Sequence, residues 1–395
     1  MPVRFAKFTY NIVVASPPLR WHVSRRTVRF VVPMVLPGYQ RQTRTSPAAA
    51  AGEVIHLINP LWDACGGSDR RAVEMYKALA AFYPVRLWSR FDPAPAFRQH
   101  YPVELIRPWR GRWPVSGTFI FVGAYFRVGH WFKATWPRRT ILVYNTYQPD
   151  RLARTLARLQ AWHSTPVEVV YASPLLRRLS DQPGPVIESP IDLVEFSPPA
   201  RRSRRNGQFV IGRMSRDDTT KHHDEDSAVY AALAGAGVES RVMGGTCLRE
   251  RFTGESRTRL LPAGATPAVD FLQDLDCFYY RTSEHWLEAF GRVVFEAMAC
   301  GLPVVCGRRG GYADYIVHGV NGFLFDTSEQ AVALILRLRD DPSLRARVGD
   351  AARRSVEALY GGSLWRTKLD FFLLRDRAQR RPFADALGPT PTETP

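Results

Sequence analysis

Between Glu53 and Arg377, short apolar runs rich in Val, Ile, Phe and Tyr alternate with longer stretches whose apolar positions recur every three to four residues. Val54–Ile58, Val85–Trp88, Phe119–Val122, Ile141–Tyr144 and Val167–Tyr171 read as strands, and Asp69–Phe82 as an amphipathic helix. A second series places strands at Phe209–Gly212, Glu239–Met243, Cys277–Tyr280 and Leu302–Cys306. Its helices are expected at Asp226–Ala236, Ser328–Arg339, Pro342–Leu359 and Trp365–Arg377. Strand and helix alternating at this interval predict parallel sheets in an α/β fold. The segment Val186–Pro198, with Asp192 a few residues before Phe196-Ser-Pro198, marks a junction, and the basic, Pro/Ser-rich residues after it suit an exposed linker. The expected division is 53–198 and 199–360 as two α/β domains, with 361–378 a helix returning to the first. Residues 1–52 read as a poorly ordered basic extension and 379–395 as a disordered Pro/Thr tail.

The densest chemistry lies in Glu288-Ala-Phe290-Gly291-Arg292-Val-Val-Phe-Glu296, which runs on through Gly301-Leu-Pro303. Gly291 is small and sits near a helix start, where unpaired backbone N–H groups can meet an anion. Val293, Val294, Met298 and Ala299 supply an apolar face, and Gly301 followed by Pro303 is the expected stop. Glu288 is then expected just before the helix and Glu296 roughly two turns inside it. Eight helical residues rise about 12 Å at most, a span comparable to a nucleotide sugar from hexose to ribose. As residue types alone, two acids eight apart describe solvated helix carboxylates equally well.

Other motifs sit at the ends of strands, where the chain turns into a loop or a helix. Gly66-Gly67 lies between a strand and a helix, where backbone amides without a Cβ in the way can approach a phosphate. Arg213, Arg216 and Lys221 come after the first strand of the second series, as cations placed to neutralise a diphosphate. Gly244 ends the strand at 239–243, and Asn145 comes after the strand at 141–144, free to bond a sugar or to cap the next helix. His222-His223-Asp224-Glu225-Asp226 reads as helix-capping acids rather than metal ligands, because the order lacks a helical ligand pair.

Together, residues 53–377 resemble the family-4 retaining glycosyltransferases, most densely over 278–326. Glu288 to Glu296 is similar to that family's Glu-x7-Glu signature. Gly310-Gly311-Tyr312-Ala-Asp314, closing on Asn321-Gly322-Phe323, is similar to its Gly-Gly loop, short helix and final strand. The resemblance implies the GT-B architecture, two Rossmann-like domains facing each other across a cleft that holds the active site. It implies transfer of a sugar, with retention, from a nucleotide diphosphate sugar to a glycan or lipid-linked acceptor in cell-envelope polysaccharide or glycolipid synthesis. No metal and no bound cofactor are implied. Glu288 would take donor hexose hydroxyls and Glu296 the ribose, while Arg213 and Lys221, with Arg216 as a substitute, would meet the departing diphosphate. Gly66, Gly67, Phe290, Gly291 and Arg292 would surround the donor, with Gly244 near the base. Many members of the family carry a His where this chain has Asn145. That departure keeps an alternative open: a catalytically silent scaffold or membrane-surface binding protein.

Composition adds limits. At 395 residues, 45% hydrophobic and 23% charged, the chain suits two ordinary globular domains, and no apolar run reaches the length of a membrane span. Five cysteines in no metal-ligand spacing read as reduced thiols of a cytoplasmic protein. The net charge of +17 is concentrated early: residues 1–52 hold eight Lys/Arg and no acid. No nucleic-acid motif accompanies it, so nucleic acid is not an expected partner. An anionic membrane surface fits the charge, as does an anionic lipid-linked acceptor, and peripheral attachment at the inner face of the membrane is the alternative location. The helix from Asp150, with Arg151, Arg154 and Arg158 opposite Leu152, Leu156 and Leu159, reads as a surface helix with its apolar side in the core or as a lipid-docking one.

Overall fold

The structure, a computed structural model, describes residues 54–199, 208–252 and 257–373. The readings of 1–52 and of 379–395 lie outside the described residues. The first sheet comprises β1 (Ile55–Ile58), β2 (Val85–Ser89), β3 (Val103–Leu105), β4 (Ser116–Val122), β5 (Trp136–Tyr144) and β6 (Val167–Tyr171). The second comprises β7 (Val210–Met214), β8 (Glu239–Met243), β9 (Thr258–Leu261), β10 (Cys277–Tyr280), β11 (Val304–Gly307) and β12 (Phe323–Phe325). Every neighbouring pair is parallel. β3, β9 and the short helix Pro95–His100 were not expected from the sequence. β3 and β9 are sheet-edge strands that bury little, so the apolar run that marks a central strand is missing.

The strand orders are β3-β2-β1-β4-β5-β6 and β12-β11-β10-β7-β8-β9, the same doubly wound order in each half. In such sheets the direction of winding reverses between the first and fourth strands, and the loops leaving those two strands diverge to open a crevice at their carboxyl ends. The reversals fall between β1 and β4 in one sheet and between β7 and β10 in the other.

Each sheet is cored by its own strands and helices. In the second, Ile211, Val242, Tyr279 and Val305 pack with Val229 and Leu233 of the helix Asp226–Gly235 and with Ile335 and Val348 of the two long helices beyond. In the first, the helix Pro149–Trp162 buries Leu152, Leu156 and Leu159 and leaves Arg151, Arg154 and Arg158 at the surface. Its apolar side is spent on its own core, which removes the amphipathic face that lipid docking requires. Among the described residues no helix is long and apolar enough to cross a membrane.

Packing divides the chain differently from the sequence-based division. Residues 172–181 and 186–198 group with the second unit, and so does the terminal helix Gly362–Phe371. Lys368 on that helix forms a 2.6 Å ion pair with Glu188, and both are buried. A buried lysine needs its carboxylate partner, and that partner, Glu188, lies in the 53–198 stretch of the sequence-based division and in the second unit by packing.

Candidate functional site

Two polar constellations stand at the two winding reversals, one in each unit. In the second unit the loop after β7 turns through Thr219–Lys221, and Lys221 Nζ donates to Glu288 Oε2 at 2.7 Å. Tyr280, the last residue of β10, donates its hydroxyl to the same oxygen at 2.9 Å. The Lys221 ammonium also lies 4.4 Å from the centre of the Trp286 ring, and Arg216 approaches that ring from 6.0 Å. Burial pushes the Glu288 carboxyl up, but the Lys221 ammonium, the bonds from Lys221 and Tyr280, and Arg216 outweigh it and hold it below the ordinary glutamate range. Glu288 is thus ionised at neutral pH. Lys221, Glu288 and Arg216 were expected from the sequence; Tyr280 and Trp286 were not.

The backbone around Glu288 is held by glycines that cannot be replaced. Gly291 has φ +81°, and a Cβ there would lie 2.4 Å from the Tyr312 ring. Gly311 donates its N–H to Glu288 O at 2.8 Å, and a Cβ on it would lie 2.1 Å from Ala289 O. The Gly310-Gly311 turn and the loop carrying Glu288 are therefore one packed unit. Gly291 then opens the helix Arg292–Ala299, whose N-terminus offers unpaired amides beside Glu288.

Several residues expected to contact a ligand are buried against protein groups. Arg213 is fully buried: Nη1 donates to Asp226 at 3.0 Å and to Arg281 O at 2.9 Å, and Nη2 donates to Lys221 O. A guanidinium enclosed this way holds the Lys221 turn from beneath, and its Nε is buried without a protein partner. Asp226 is not simply a helix cap either, since it binds both Arg213 and Arg281. Arg292 donates to Glu296 at 2.7 Å, to Ser189 Oγ at 3.2 Å and to Pro190 O, so its guanidinium is committed to protein groups. Glu296 is the fifth residue of an eight-residue helix, little more than one turn in rather than two. Phe290 is buried and stacked on Phe295 at 4.2 Å, which leaves only its backbone for a ligand. Gly244, at φ +81°, is required because a Cβ would lie 2.1 Å from Ser215 O; its role is to let the loop after β7 pack against it.

The first constellation gathers the ends of β1, β4 and β5. Asn59 donates to Val122 O at 2.8 Å and to the Tyr125 hydroxyl at 3.2 Å, and lies 3.4 Å from Ser68 Oγ. Asn145 donates to Ser68 Oγ at 3.0 Å, while its amide oxygen is buried with no partner in the protein. Tyr125 reaches Asp69, the buried acid in the first turn of the helix Gly67–Ala80. Burial, and then Asp63, push the Asp69 carboxyl up to about 7 against bonds from the Leu61 and Trp62 backbone and from Tyr125.

That acid changes the reading of Gly66-Gly67. A Cβ at Gly66 would lie 2.5 Å from Asp69 Oδ2, so Gly66 makes room for a carboxylate. A side chain at Gly67 would meet nothing within 4 Å. The helix start is already covered by an acid, which disfavours a phosphate in the same place.

Known proteins share this outline. Residues 263–355 match the family model described as Glycosyl transferases group 1, a span that includes Glu288, Glu296 and the Gly310-Gly311 turn. Spore coat protein SA of Bacillus subtilis is 37% identical over 82 residues, 20% of this chain and 22% of that protein. Sucrose synthase 1 of Tulipa gesneriana is 35% identical over 88 residues, 21% of this chain and 11% of that one. The matches thus span about a fifth and a tenth of these relatives' lengths. Among solved structures, Anabaena Alr3699/HepE in complex with UDP-glucose has a TM-score of 0.62 at 19% identity, covering 81% of this chain and 98% of that one. The sucrose-phosphate synthase of Thermosynechococcus elongatus has a TM-score of 0.61 at 19% identity, covering 84% and 100%. WaaG, a glycosyltransferase involved in lipopolysaccharide biosynthesis, has a TM-score of 0.54 at 13% identity, covering 80% and 99%. The fold is the GT-B type, two Rossmann-like α/β units with parallel sheets.

Proposed function

We propose that this protein is a retaining glycosyltransferase that moves a sugar from a nucleoside diphosphate sugar to a glycan or lipid-linked acceptor. The observation that carries the reading is the Lys221–Glu288 pair at the winding reversal of the second sheet, beside a helix N-terminus, with Glu288 inside the matched segment. UDP-glucose, which the Anabaena neighbour binds, is the donor to test first.

In this reading the cations and the amides at the start of the helix Arg292–Ala299 receive the diphosphate. Lys221 and Arg216 supply the positive charge, and Arg213 keeps the Lys221 turn in place from below. Both bonds to Glu288 fall on Oε2, so Oε1 accepts a hydroxyl of the transferred sugar and fixes its ring. Glu296, oriented by Arg292, is the carboxylate offered to the ribose. The bond from the anomeric carbon to the diphosphate oxygen breaks as the acceptor oxygen attacks from the same face. The acceptor's proton passes to an oxygen of the departing diphosphate, and the nucleoside diphosphate leaves. Stabilising the leaving group where charge develops is the main contribution asked of the protein.

The test monitors donor turnover by proton NMR, with UDP-glucose, UDP-galactose, UDP-N-acetylglucosamine and GDP-mannose offered in turn with water as a slow acceptor. Release of nucleoside diphosphate with the α-anomer of the sugar formed first from an α-linked donor is expected. The β-anomer formed first would overturn retention, and no release from any donor would overturn the transferase reading.

A further inference from the structure

We infer that Trp286 is a positioning residue of the second unit, whose indole ring gathers the Lys221 ammonium and the Arg216 guanidinium into one receptor for a diphosphate. The inference rests on the transferase reading for the ligand it names. The arrangement of ring and cations does not depend on that reading.

Arg216 and Lys221 stand at the two ends of one loop, which leaves β7 and closes in the turn Thr219–Lys221. Like charges repel, and both side chains are long and flexible, so the loop alone does not hold two cations in one place. Asp218, the acid between them, spends Oδ1 on the Thr220 N–H and hydroxyl, and its Oδ2 reaches Arg216 only at 4.0 Å. The ring supplies what the loop lacks. Lys221 Nζ lies over the Trp286 ring at 4.4 Å from its centre, and the Arg216 guanidinium lies over it at 6.0 Å. Among aromatic side chains tryptophan attracts cations best, over distances up to about 6 Å.

The backbone fixes the ring in that place. Ser283 N–H donates to Thr220 O at 3.2 Å, which ties the loop carrying Trp286 to the residue before Lys221. Within the loop, Trp286 N–H donates to Ser283 O at 3.1 Å, and the Thr282 hydroxyl donates to Trp286 O at 3.0 Å. Glu284 and His285 are exposed on this turn, whereas Trp286 is half-buried against the two cations.

Two donors of the same loop are left over. Trp286 Nε1 and Ser283 Oγ are buried without a protein partner, and Ser283 is only 8% exposed. A buried tryptophan that serves packing alone ordinarily has an acceptor for its N–H. Unmatched donors next to two cations lack acceptor oxygens and negative charge, and a diphosphate brings both.

The probes are inorganic pyrophosphate and two nucleotide pairs, UDP with UMP and GDP with GMP. They are titrated by calorimetry into the full chain, Trp286→Leu and Trp286→Phe, with melting temperatures recorded for each. The native chain is expected to bind pyrophosphate, and to bind one diphosphate more tightly than its monophosphate. In Trp286→Leu the pyrophosphate dissociation constant should rise about tenfold, and the preference for diphosphate over monophosphate should shrink by the same factor. Trp286→Phe, which keeps an aromatic face, should recover most of both. A purely structural role would weaken diphosphate and monophosphate alike. An unchanged ratio in a folded Trp286→Leu protein would therefore overturn the inference, as would a Trp286→Phe protein no better than Trp286→Leu, or a native chain that binds no pyrophosphate. Pyrophosphate bound through Trp286 with no nucleotide sugar turned over would leave the inference standing and overturn the transferase reading. Donor turnover with a ratio indifferent to Trp286 would do the reverse.

Discussion

Replacing Glu288 with alanine is expected to lower donor turnover by about two to three orders of magnitude, the scale seen when one oriented polar group is removed from a reacting centre. The substitution strands the Lys221 ammonium, removes the acceptor of the Tyr280 hydroxyl and deletes the oxygen offered to the sugar. Stranding the buried Lys221 ammonium costs about 3–5 kcal/mol and leaving the Tyr280 hydroxyl unmatched about 1–3 kcal/mol, against about 5–15 kcal/mol for a folded domain. Lost turnover therefore reports on the site only at a temperature where the variant is folded, which its melting curve fixes. Glu288→Gln keeps the volume and removes the charge. It should retain part of the sugar contact while failing to balance Lys221, giving a turnover between the two. Rates of nucleoside diphosphate release for the three proteins, with melting curves beside them, decide the matter. Equal rates would remove Glu288 from the site.

Arg213→Ala is expected to act on the fold before it acts on turnover. The guanidinium is fully enclosed and ties together Asp226, Arg281 O and Lys221 O, three groups brought from separate loops and a helix. Breaking a buried ion pair by removing one partner costs about 3–5 kcal/mol, which for a unit of this size lowers the melting temperature by roughly 10 °C. Arg213→Lys restores the charge but not the forked geometry that reaches Asp226 and two carbonyls at once, so it should recover only part of the loss. Thermal unfolding monitored by circular dichroism reads this directly. A variant that melts normally yet has lost turnover would return Arg213 to the role of diphosphate contact implied by the family resemblance.

The fate of Arg213 shows what was legible and what was not. Residues 211 and 213 share a face of β7, and Ile211 lies in the core with Val229 and Leu233. The strand read from the sequence ends at Gly212, whereas β7 runs on to Met214 and so turns Arg213 inward with Ile211. The Arg292–Glu296 pair was legible, since residues four apart on a helix meet. Cys277–Tyr280 stood out as an apolar run buried along its whole length, and it has the bounds read from the sequence, as do the edge strand Val167–Tyr171 and the more polar Glu239–Met243. Trp286 lies in a loop with no periodicity to mark it. The Asn59–Ser68–Tyr125–Asn145 chain is assembled from three strand ends up to 86 residues apart and the first turn of the helix Gly67–Ala80, and only the sheet order brings the strand ends together. Asn145 was singled out alone; its partners were not.

The central claim is that the second unit binds the diphosphate of a nucleotide sugar through Lys221. Calorimetric titration of UDP-glucose, and then of the other donors in turn, into the full chain and into Lys221→Ala tests it most directly. Saturable one-to-one binding by the native chain is expected, with the dissociation constant raised about tenfold or more when the charge-assisted bond is lost. Absence of binding by every donor, or an affinity unchanged in a folded Lys221→Ala protein, would contradict it.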